Sequence, residues 1–462
     1  MTVYFCDKPL ILILMKKILL PVLLILAGVI SAQARQFVAG AAKIDITPKE
    51  SDLQRPSDII RGQLFVRAIY ISDGQGSAAI VSMDTHCHDL DATMKKASAS
   101  TGVPYENFII SSTHTHSGGT AGIGRDNIPS EKQVQEAILK AVAEARAAAR
   151  PARVGFGKRP LDLNVNRDNY NEYQEWEQAA NWTAPTDKDL TVLTFLDEQD
   201  VPIAVYMNYG MHPVNFFMSG VVSADFPGDA CALVEKVFGE KTVAVFSQSA
   251  SGDVNPKLAY TDIFQETEQV KGVPRPHRAT RGSLDLSTRA VPADQMQLHQ
   301  AMVDRKDEYV RMLGNSVGFK AIEIMLYDTQ YEVDPTVRGA ETVIAVPGRR
   351  RLDNNGRENY DPGYEPADDV HIGVGVVRIG DIALVSVSGE IYTEIGLRLK
   401  AESPAAKTLV VTLADGPFES GYIYSDNAAN HLTFQVIGSR LQPGHAEKAI
   451  VEAAKGLMRE TK

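Results

Sequence analysis

Two histidines stand close together just after an apolar run, and their types point to metal chemistry. The run Phe108-Ile109-Ile110 leads into SSTHTHSGG at 111–119, which places histidines at His114 and His116. Side chains at i and i+2 of an extended strand share a face, and neutral imidazole is the commonest side-chain metal ligand. Taken alone, the pair supports two interpretations equally well: a metal site, or two solvated histidines in a loop.

Three further ligand-type residues occur in the same sequence context, because each follows an apolar run that predicts a buried strand. They are His212 after 202–208, Glu390 after 382–387 and Tyr422 after 408–413. Each also has an ordinary structural alternative. A lone histidine before proline is often structural, a glutamate at a helix start is favoured by the helix dipole, and tyrosines are often packing residues. The metal interpretation depends on the set rather than on any one member.

A fifth polar segment, Asp84-Thr85-His86-Cys87-His88-Asp89, follows the predicted strand 77–83. Alternation along an extended chain would place Asp84, His86 and His88 on one face. Two interpretations stay open. The three residues bind a second metal, or the Asp84 carboxylate accepts an N–H from a metal-bound histidine. We favour the second.

Apolar, β-branched runs alternate with helical patterns along the chain, which predicts an α/β (mixed α+β) fold. Strands are predicted over 64–71, 77–83, 107–112, 153–156, 189–196, 202–208, 242–246, 370–379, 382–387 and 408–413. Helices are predicted over 131–149, with Ser130 as N-cap, 227–238 and 445–458. The pattern fails over about 265–300, which we interpret as a solvated polar insertion or as a lid over a site.

The N-terminus has the pattern of a secretory signal peptide. A basic stretch at 15–17 precedes an apolar run at 18–30, and Ala32-Gln33-Ala34 has the form of a cleavage site. We predict a signal peptide over 1–34, including an upstream extension over 1–14, and a secreted or periplasmic product. The apolar run is shorter than the roughly 20 residues of a membrane span, so no integral membrane segment is expected after cleavage.

The composition limits which class of protein this chain belongs to and which kind of partner it binds. The 462 residues are 44% hydrophobic and 23% charged, which is typical of a globular protein and excludes a fibrous or disordered class. A net charge of −11 argues against a nucleic-acid partner. Three cysteines are too few for a disulfide scaffold. We therefore expect the partner to be a small-molecule or lipid substrate.

Taken together, these segments resemble the neutral (non-lysosomal) ceramidase family over nearly all of the chain after the predicted signal peptide. The motifs stand in the family's order: VAGAAKIDITP at 38–48, THTHSG at 113–118, VNR at 165–167, the His212 segment, GDVNP at 252–256, GE at 389–390 and GYI at 421–423. The resemblance implies one zinc-hydrolase domain over 35–462, with ligands at the C-terminal ends of strands. It corresponds to the N-terminal catalytic domain of that family alone.

The resemblance also implies a Zn²⁺ cofactor and a role for each site residue. The residues that would hold the zinc are His114, His212, Glu390 and Tyr422. His116 would be the general base and acid, and Arg167 and Asn255 would contact the substrate or the developing oxyanion. Water activated by zinc would attack an amide or ester carbonyl.

Two positions depart from the family's pattern. Asn255 stands where the family has the serine of Gly-Asp-x-Ser-Pro, and Phe434 stands where it has an active-site tyrosine. An amide can donate a hydrogen bond to an oxyanion but cannot become an activated nucleophile. The first expectation is a ceramidase-like hydrolase of N-acyl lipids. Two alternatives stay open: a zinc hydrolase of acylated sugars or another polar metabolite, and a non-catalytic binding protein of the same fold.

Overall fold

Two stacked β-sheets with helices on both outer sides form the fold, as a computed structural model shows. The structure describes residues 36–86, 90–119, 128–217, 220–259 and 293–462. The predicted signal peptide and most of the predicted 265–300 insertion lie outside these ranges, so both stay predictions. Residues from Phe37 to Lys462 group as one unit, and its mixed α/β character is the one expected from the sequence.

The strands described are numbered in chain order. They are β1 Val38–Asp45, β2 Ile59–Ile60, β3 Phe65–Ser72, β4 Ser77–Met83, β5 Phe108–Ser112, β6 Arg150–Pro160, β7 Asn164–Tyr170, β8 Trp176–Asn181, β9 Asp189–Asp197, β10 Pro202–Tyr209, β11 Val221–Val222, β12 Val243–Gln248, β13 Val254–Pro256, β14 Gln330–Tyr331, β15 Val337–Arg351, β16 Tyr364–Ile379, β17 Ile382–Val387, β18 Glu390–Ile391, β19 Lys407–Val411 and β20 Tyr422–Ile423.

The α-helices described are α1 Leu90–Thr101, α2 Glu131–Ala147, α3 Asp225–Phe238, α4 Met296–Tyr327, α5 Thr393–Ala401, α6 Phe434–Gly438 and α7 Ala446–Glu460. Ser130 caps α2 as predicted, because its hydroxyl accepts a hydrogen bond from the Gln133 amide and the Gln133 side chain accepts one in return. Within the described ranges, no helix is both long and apolar enough to span a membrane.

The two sheets pack face to face through apolar side chains. The larger sheet has the order β12-β10-β9-β6-β1-β3-β4-β5, with β14 against β6, and the smaller sheet has the order β15-β16-β17-β19. Buried residues of the larger sheet, such as Ile69, Ile80 and Phe195, share one apolar cluster with Leu384 and Leu409 of the smaller sheet. This burial between the sheets is a main source of stability for the fold.

Helices cover the outer face of each sheet, which completes four layers. On the larger sheet, α1 and α2 pack over β3, β4 and β5, while α3 and α4 pack over β9, β10 and β12. On the smaller sheet, α5 and α7 pack over β16, β17 and β19. Because both faces of both sheets are covered, most strands consist of near-continuous apolar runs.

The long helix α4 is the main element that the sequence pattern missed, and its first residues fall inside the predicted 265–300 insertion. Gly314 and Gly318 interrupt its helical signal, because glycine disfavours helix interiors. In the fold these glycines allow close packing on α3. A Cβ at Gly314 would lie 2.7 Å from the Phe226 carbonyl oxygen, and one at Gly318 would lie 2.9 Å from the Ala230 carbonyl oxygen.

The candidate site lies where strands of both sheets end. His114 follows β5 and His212 follows β10, both in the larger sheet, while Glu390 follows β17 of the smaller sheet. The positions of the three strand ends therefore depend on the packing of one sheet against the other.

Candidate metal centre

Three side-chain atoms converge between the two sheets. The Nε2 atoms of His114 and His212 are 3.1 Å apart, and Glu390 Oε2 lies 3.2 Å from the first and 3.0 Å from the second. Ligands around a tetrahedral zinc ion, with bonds of about 2.0–2.1 Å, are separated by about 3.3 Å. The spacing of the three atoms fits one metal ion held between them.

The protonation of His212 supports the same conclusion. Its Nδ1 lies 2.8 Å from the Ser251 carbonyl oxygen and 3.1 Å from that of Val254, so Nδ1 carries the hydrogen. Burial, reinforced by the Arg167 charge, lowers the pKa of His212 to about 3, so the ring is neutral at pH 7. Its Nε2 lone pair therefore points toward the other two atoms, as in metal-binding histidines whose second nitrogen donates to a carbonyl.

Glu390 adds a negative charge beside the Nε2 lone pair of His212. An ionised carboxylate and a neutral imidazole nitrogen, both acceptors, then face each other across 3.0 Å. Such an arrangement is unfavourable without a cation between them, so the donor set fits Zn²⁺.

The backbone of His114 differs from the predicted geometry. The strand β5 ends at Ser112, and His114 has φ of 67°, in the left-handed region that non-glycine residues rarely adopt. The premise that His114 and His116 share the face of an extended strand is therefore wrong. The turn nevertheless brings their rings to 4.8 Å from each other, and the Ser112 hydroxyl accepts the His114 amide hydrogen at 2.9 Å.

Glu390 and Tyr422 are brought together by backbone pairing. They are direct partners in the short parallel ladder of β18 and β20, and the Glu390 amide donates to the Gly421 carbonyl at 2.7 Å. Gly389 makes this approach possible, since its φ is 137° and a Cβ there would lie 2.9 Å from the Gly421 oxygen. Burial and the Glu390 charge raise the pKa of the Tyr422 phenol.

Arg167 connects the converging atoms to the GDVNP motif. Its Nη1 donates to Asn255 Oδ1 at 3.2 Å, and its Nη2 donates to the Gly252 carbonyl at 2.6 Å and to the Tyr422 oxygen at 3.2 Å. Nη2 also lies 3.4 Å from His212 Nε2. Pairing of β7 with β13 sets this geometry, because Asn255 is the partner of the residue two before Arg167.

His116 lies beside the three converging atoms rather than among them. One ring nitrogen from each of His116, His114 and His212 lies within 4.8 Å of the other two. Both nitrogens of His116 are buried and, among the residues that the structure describes, accept or donate no hydrogen bond. The ring stacks on Phe217 at 5.3 Å. Burial and the neighbouring histidines lower its pKa well below the usual value, so the ring is neutral.

Phe434 occupies the side of the centre next to Tyr422. The two rings meet edge to face with centroids 5.4 Å apart, and the Arg167 guanidinium carbon lies 5.5 Å from the Phe434 centroid. The benzyl side chain therefore forms an apolar wall beside Tyr422 and Arg167 and offers no hydroxyl to a substrate.

Asp84 makes its described contacts away from the histidines. Its Oδ2 accepts from Arg67 Nη1 at 2.5 Å and from the Phe65 amide at 3.0 Å. His86 packs edge to face with Phe418 at 5.8 Å, and His88 lies outside the described residues. Both interpretations therefore stay untested predictions: the favoured one, in which Asp84 accepts from a metal-bound histidine, and the alternative of a second metal site.

Asp168 is a buried residue of the site that the sequence patterns missed. Its carboxylate accepts from the hydroxyls of Tyr392 at 2.9 Å and Thr433 at 3.3 Å, and from the Gln435 amide at 3.2 Å. His431 Nδ1 lies 3.2 Å from the same carboxylate. These contacts anchor the strand that carries Arg167, but no motif or spacing marks Asp168 in the sequence.

The chain was compared with known protein families and with curated relatives. Residues 40–272 match the family described as neutral/alkaline non-lysosomal ceramidase, N-terminal. Neutral ceramidase A of Dictyostelium discoideum is 26% identical over 220 residues, 41% of this chain and 30% of that protein. Neutral ceramidase of Drosophila pseudoobscura pseudoobscura is 26% identical over 277 residues, 52% of this chain and 39% of that protein. The matches thus span well under half of these relatives' length.

Solved structures share the fold. A structure described as ceramidase complexed with C2 superposes with a TM-score of 0.66 at 15% identity, covering 92% of this chain and 75% of that one. Neutral ceramidase from Pseudomonas aeruginosa superposes with a TM-score of 0.60 at 16% identity, covering 93% and 75%. At these identities the likeness concerns the fold, and it confirms the mixed α/β architecture predicted from the sequence.

Proposed function

The chain belongs to the neutral/alkaline non-lysosomal ceramidase family, and from this premise we propose that it is an exported zinc-dependent hydrolase of the amide (or ester) bond of an N-acyl substrate. The relatives named neutral ceramidases suggest the substrate class. The observation that carries the zinc proposal is the convergence of His114 Nε2, His212 Nε2 and Glu390 Oε2 at 3.0–3.2 Å.

His114, His212, Glu390 and Tyr422 are the proposed ligands of Zn²⁺. Two imidazoles and two oxygens are a donor set that zinc accepts. Zinc held there supplies Lewis acidity and lowers the pKa of water to about 7. Tyr422 belongs to the set because its hydroxyl lies beside Glu390 and Arg167, where a nearby cation would favour its phenolate form.

His116 is the proposed general base and acid. It is neutral, and neither of its ring nitrogens has a hydrogen-bond partner within the described residues. In the reaction it takes the proton of the attacking water, and it returns that proton to the leaving nitrogen when the C–N bond breaks. The products are a carboxylic acid and an amine, and passage of the second water proton from the acid to the amine gives a carboxylate and an ammonium ion, so protons and charge balance.

Arg167 and Asn255 are the proposed donors to the oxyanion or to the substrate. Arg167 Nη1 donates to the amide oxygen of Asn255 at 3.2 Å, and the NH₂ group is the end of the Asn255 side chain that can donate. Because both groups are buried, their hydrogen bonds to a developing negative charge are stronger than the same bonds in water.

A second candidate function is hydrolysis of acylated sugars or of another polar metabolite. It is favoured by the two departures from the family's pattern, Phe434 and Asn255. A third candidate is a protein that binds such a compound without turnover. The test is a panel of N-acylsphingosines, N-acyl amino acids and acylated sugars, assayed with and without a chelator. We expect turnover of an N-acyl compound that the chelator stops and zinc restores, and that is absent in His114→Ala.

Each other outcome of the panel selects a different function. Chelator-sensitive turnover of acylated sugars alone would favour the second candidate. Zinc binding with no turnover of any compound would favour the binding protein. Turnover that neither the chelator nor His114→Ala affects would contradict the zinc proposal.

A further inference from the structure

Arg357 is a half-buried cation next to the candidate metal centre, and neither the motifs nor the resemblance identifies it. Its guanidinium carbon lies 4.2 Å from the centroid of the Phe434 ring. The same ring packs edge to face on Tyr422 at 5.4 Å and lies 5.5 Å from the Arg167 guanidinium carbon. Two arginines therefore lie over one phenyl ring at the edge of the site.

Arg357 has little charge compensation from its surroundings. In the part of the chain that the structure describes, its guanidinium contacts the Phe434 ring but donates no hydrogen bond and forms no ion pair. Burial lowers the pKa of Arg357, and the neighbouring Glu358 and Tyr422 offset only part of this effect. A half-buried cation without an anion is unfavourable, so the site is electrostatically prepared for an anionic ligand.

The adjacent carboxyl group, Glu358, is already engaged elsewhere. Its Oε2 accepts the Gln178 amide hydrogen at 3.3 Å. Burial raises the pKa of Glu358 to about 7, so the group is only partly ionised at neutral pH. Glu358 therefore does not fully neutralise its neighbour.

The loop that carries Arg357 is held in place on both sides of it. Arg351 Nη2 donates to the Gly356 carbonyl at 2.8 Å. The Asn359 amide donates to the Leu432 carbonyl at 2.7 Å, close to Phe434 in sequence. Because the backbone on both sides of Arg357 is already ordered, the loop loses little conformational entropy when a ligand binds.

We propose that Arg357 binds a carboxylate of the substrate, placed a few bonds from the scissile amide. This inference rests on the proposed function and narrows its substrate class from neutral N-acyl lipids to carboxylate-bearing N-acyl compounds, of which N-acyl amino acids are the simplest. The planar guanidinium matches a carboxylate through two parallel hydrogen bonds. The Phe434 ring fills the space between that subsite and Tyr422 with an apolar surface.

Three compounds of matched chain length test the charge and its position. N-Dodecanoylglycine carries the carboxylate on the amine part, N-dodecylsuccinamic acid carries it on the acyl part, and N-dodecanoylethanolamine carries none. We expect the wild-type protein to prefer one of the two acids by at least about tenfold in kcat/KM, as a charge-assisted hydrogen bond predicts. The preferred acid identifies the side of the amide that Arg357 faces.

The variants connect that preference to the residue. Arg357→Gln should lower kcat/KM for the preferred acid by about 10- to 100-fold and leave the ethanolamide within about threefold. Arg357→Lys should restore part of the loss. Arg350→Gln is the matched control, since Arg350 is an exposed arginine paired with Glu365 in the same region, and it should change neither substrate.

Binding separates this inference from the proposed hydrolysis. Calorimetry on His114→Ala and on the double variant His114→Ala/Arg357→Gln should show that the first binds an acid more tightly than the ethanolamide and that the second loses the preference. A binding preference without turnover would contradict only the proposed hydrolysis. Zinc-dependent turnover with equal rates for acids and ethanolamide, or an equal loss for all three compounds in Arg357→Gln, would overturn the carboxylate subsite.

Discussion

Glu390 and Asp168 are both buried carboxylates beside Arg167, but their neighbours differ in kind. Asp168 is surrounded by donors, since hydroxyl groups of Tyr392 and Thr433 and the amide of Gln435 all point toward it. Glu390 faces the Nε2 atoms of His114 and His212. The Nε2 atom of His212 carries a lone pair and no hydrogen, because its Nδ1 carries the hydrogen. A carboxylate whose neighbours are donors is stable by itself, whereas a carboxylate that faces an acceptor, as Glu390 faces His212 Nε2, is stabilised by a cation between the two.

The difference shows how a structural carboxylate is distinguished from a metal-binding one without any ion being present. Both side chains are largely shielded from solvent, with 2% of Asp168 and 13% of Glu390 exposed, so burial does not separate them. The two carboxylates are distinguished by whether the neighbouring atoms carry a hydrogen. At His212 the hydrogen is on Nδ1, because two backbone carbonyl oxygens accept from that atom. Variants of these carboxylates and of their neighbours test this contrast.

The largest change in zinc binding and turnover is expected at the three converging atoms of His114, His212 and Glu390. His212→Ala should abolish zinc binding and lower turnover by at least about 10³-fold, because it removes one of the three converging atoms. His116→Ala should lower turnover by about 10²- to 10⁴-fold while zinc binding stays intact, as loss of a general base predicts. Zinc content and turnover of the same preparations decide the matter. Loss of zinc in His116→Ala would instead favour a three-histidine site.

Replacement of Asp168, the carboxylate surrounded by donors, should lower the stability of the fold and leave the zinc content unchanged. Asp168→Asn turns an acceptor into a group whose NH₂ faces other donors, which should lower the free energy of unfolding by about 3 kcal/mol. Urea denaturation measures it, with Asp200→Asn as an exposed control expected to change it by less than about 0.5 kcal/mol. An equal effect of both variants would remove the contrast.

The smallest effect concerns Asp253, which accepts from Asn166 and Thr393 near Asp168. Burial, and then the Asp168 charge, raises the pKa of Asp253 to about 6. The folded state therefore keeps this proton after the unfolded state has lost it, so its contribution to stability is present below about pH 4 and is lost as the pH rises to about 6.

The pH dependence of unfolding checks this sign. Between pH 4 and 6.5 the wild-type free energy of unfolding should fall by about 2 kcal/mol more than that of Asp253→Asn, which has no proton to lose. Parallel curves for the two proteins would show that Asp253 ionises normally in the fold.

The sequence predicted the elements with strong periodicity and the residues that follow them. Strands such as β4 and β10 and the capped helix α2 are apolar runs or amphipathic patterns with clear ends, and the fold comparison confirms the mixed α/β class. The convergence of His114, His212 and Glu390 followed from the family's motifs. Spacing alone does not specify it, because the three residues come from two different sheets.

Other parts could not be predicted, because they depend on tertiary contacts. Helix α4 contains glycines that only its packing on α3 explains. The left-handed turn at His114 replaces the extended geometry that alternation suggested. Asp168 and Arg357 acquire their surroundings from residues far away in the sequence, such as Gln435 and Phe434.

The most direct test of the proposed zinc centre is zinc affinity, measured by competition with a chromophoric chelator, for the wild-type protein, Glu390→Gln and Asp168→Asn. We expect one zinc per chain in the wild type, a similar affinity in folded Asp168→Asn, and at least about 100-fold weaker binding in Glu390→Gln, because its amide donates to the imidazoles in place of a cation. Absence of stoichiometric zinc in the wild type, or equal affinity in Glu390→Gln, would contradict the proposed zinc centre.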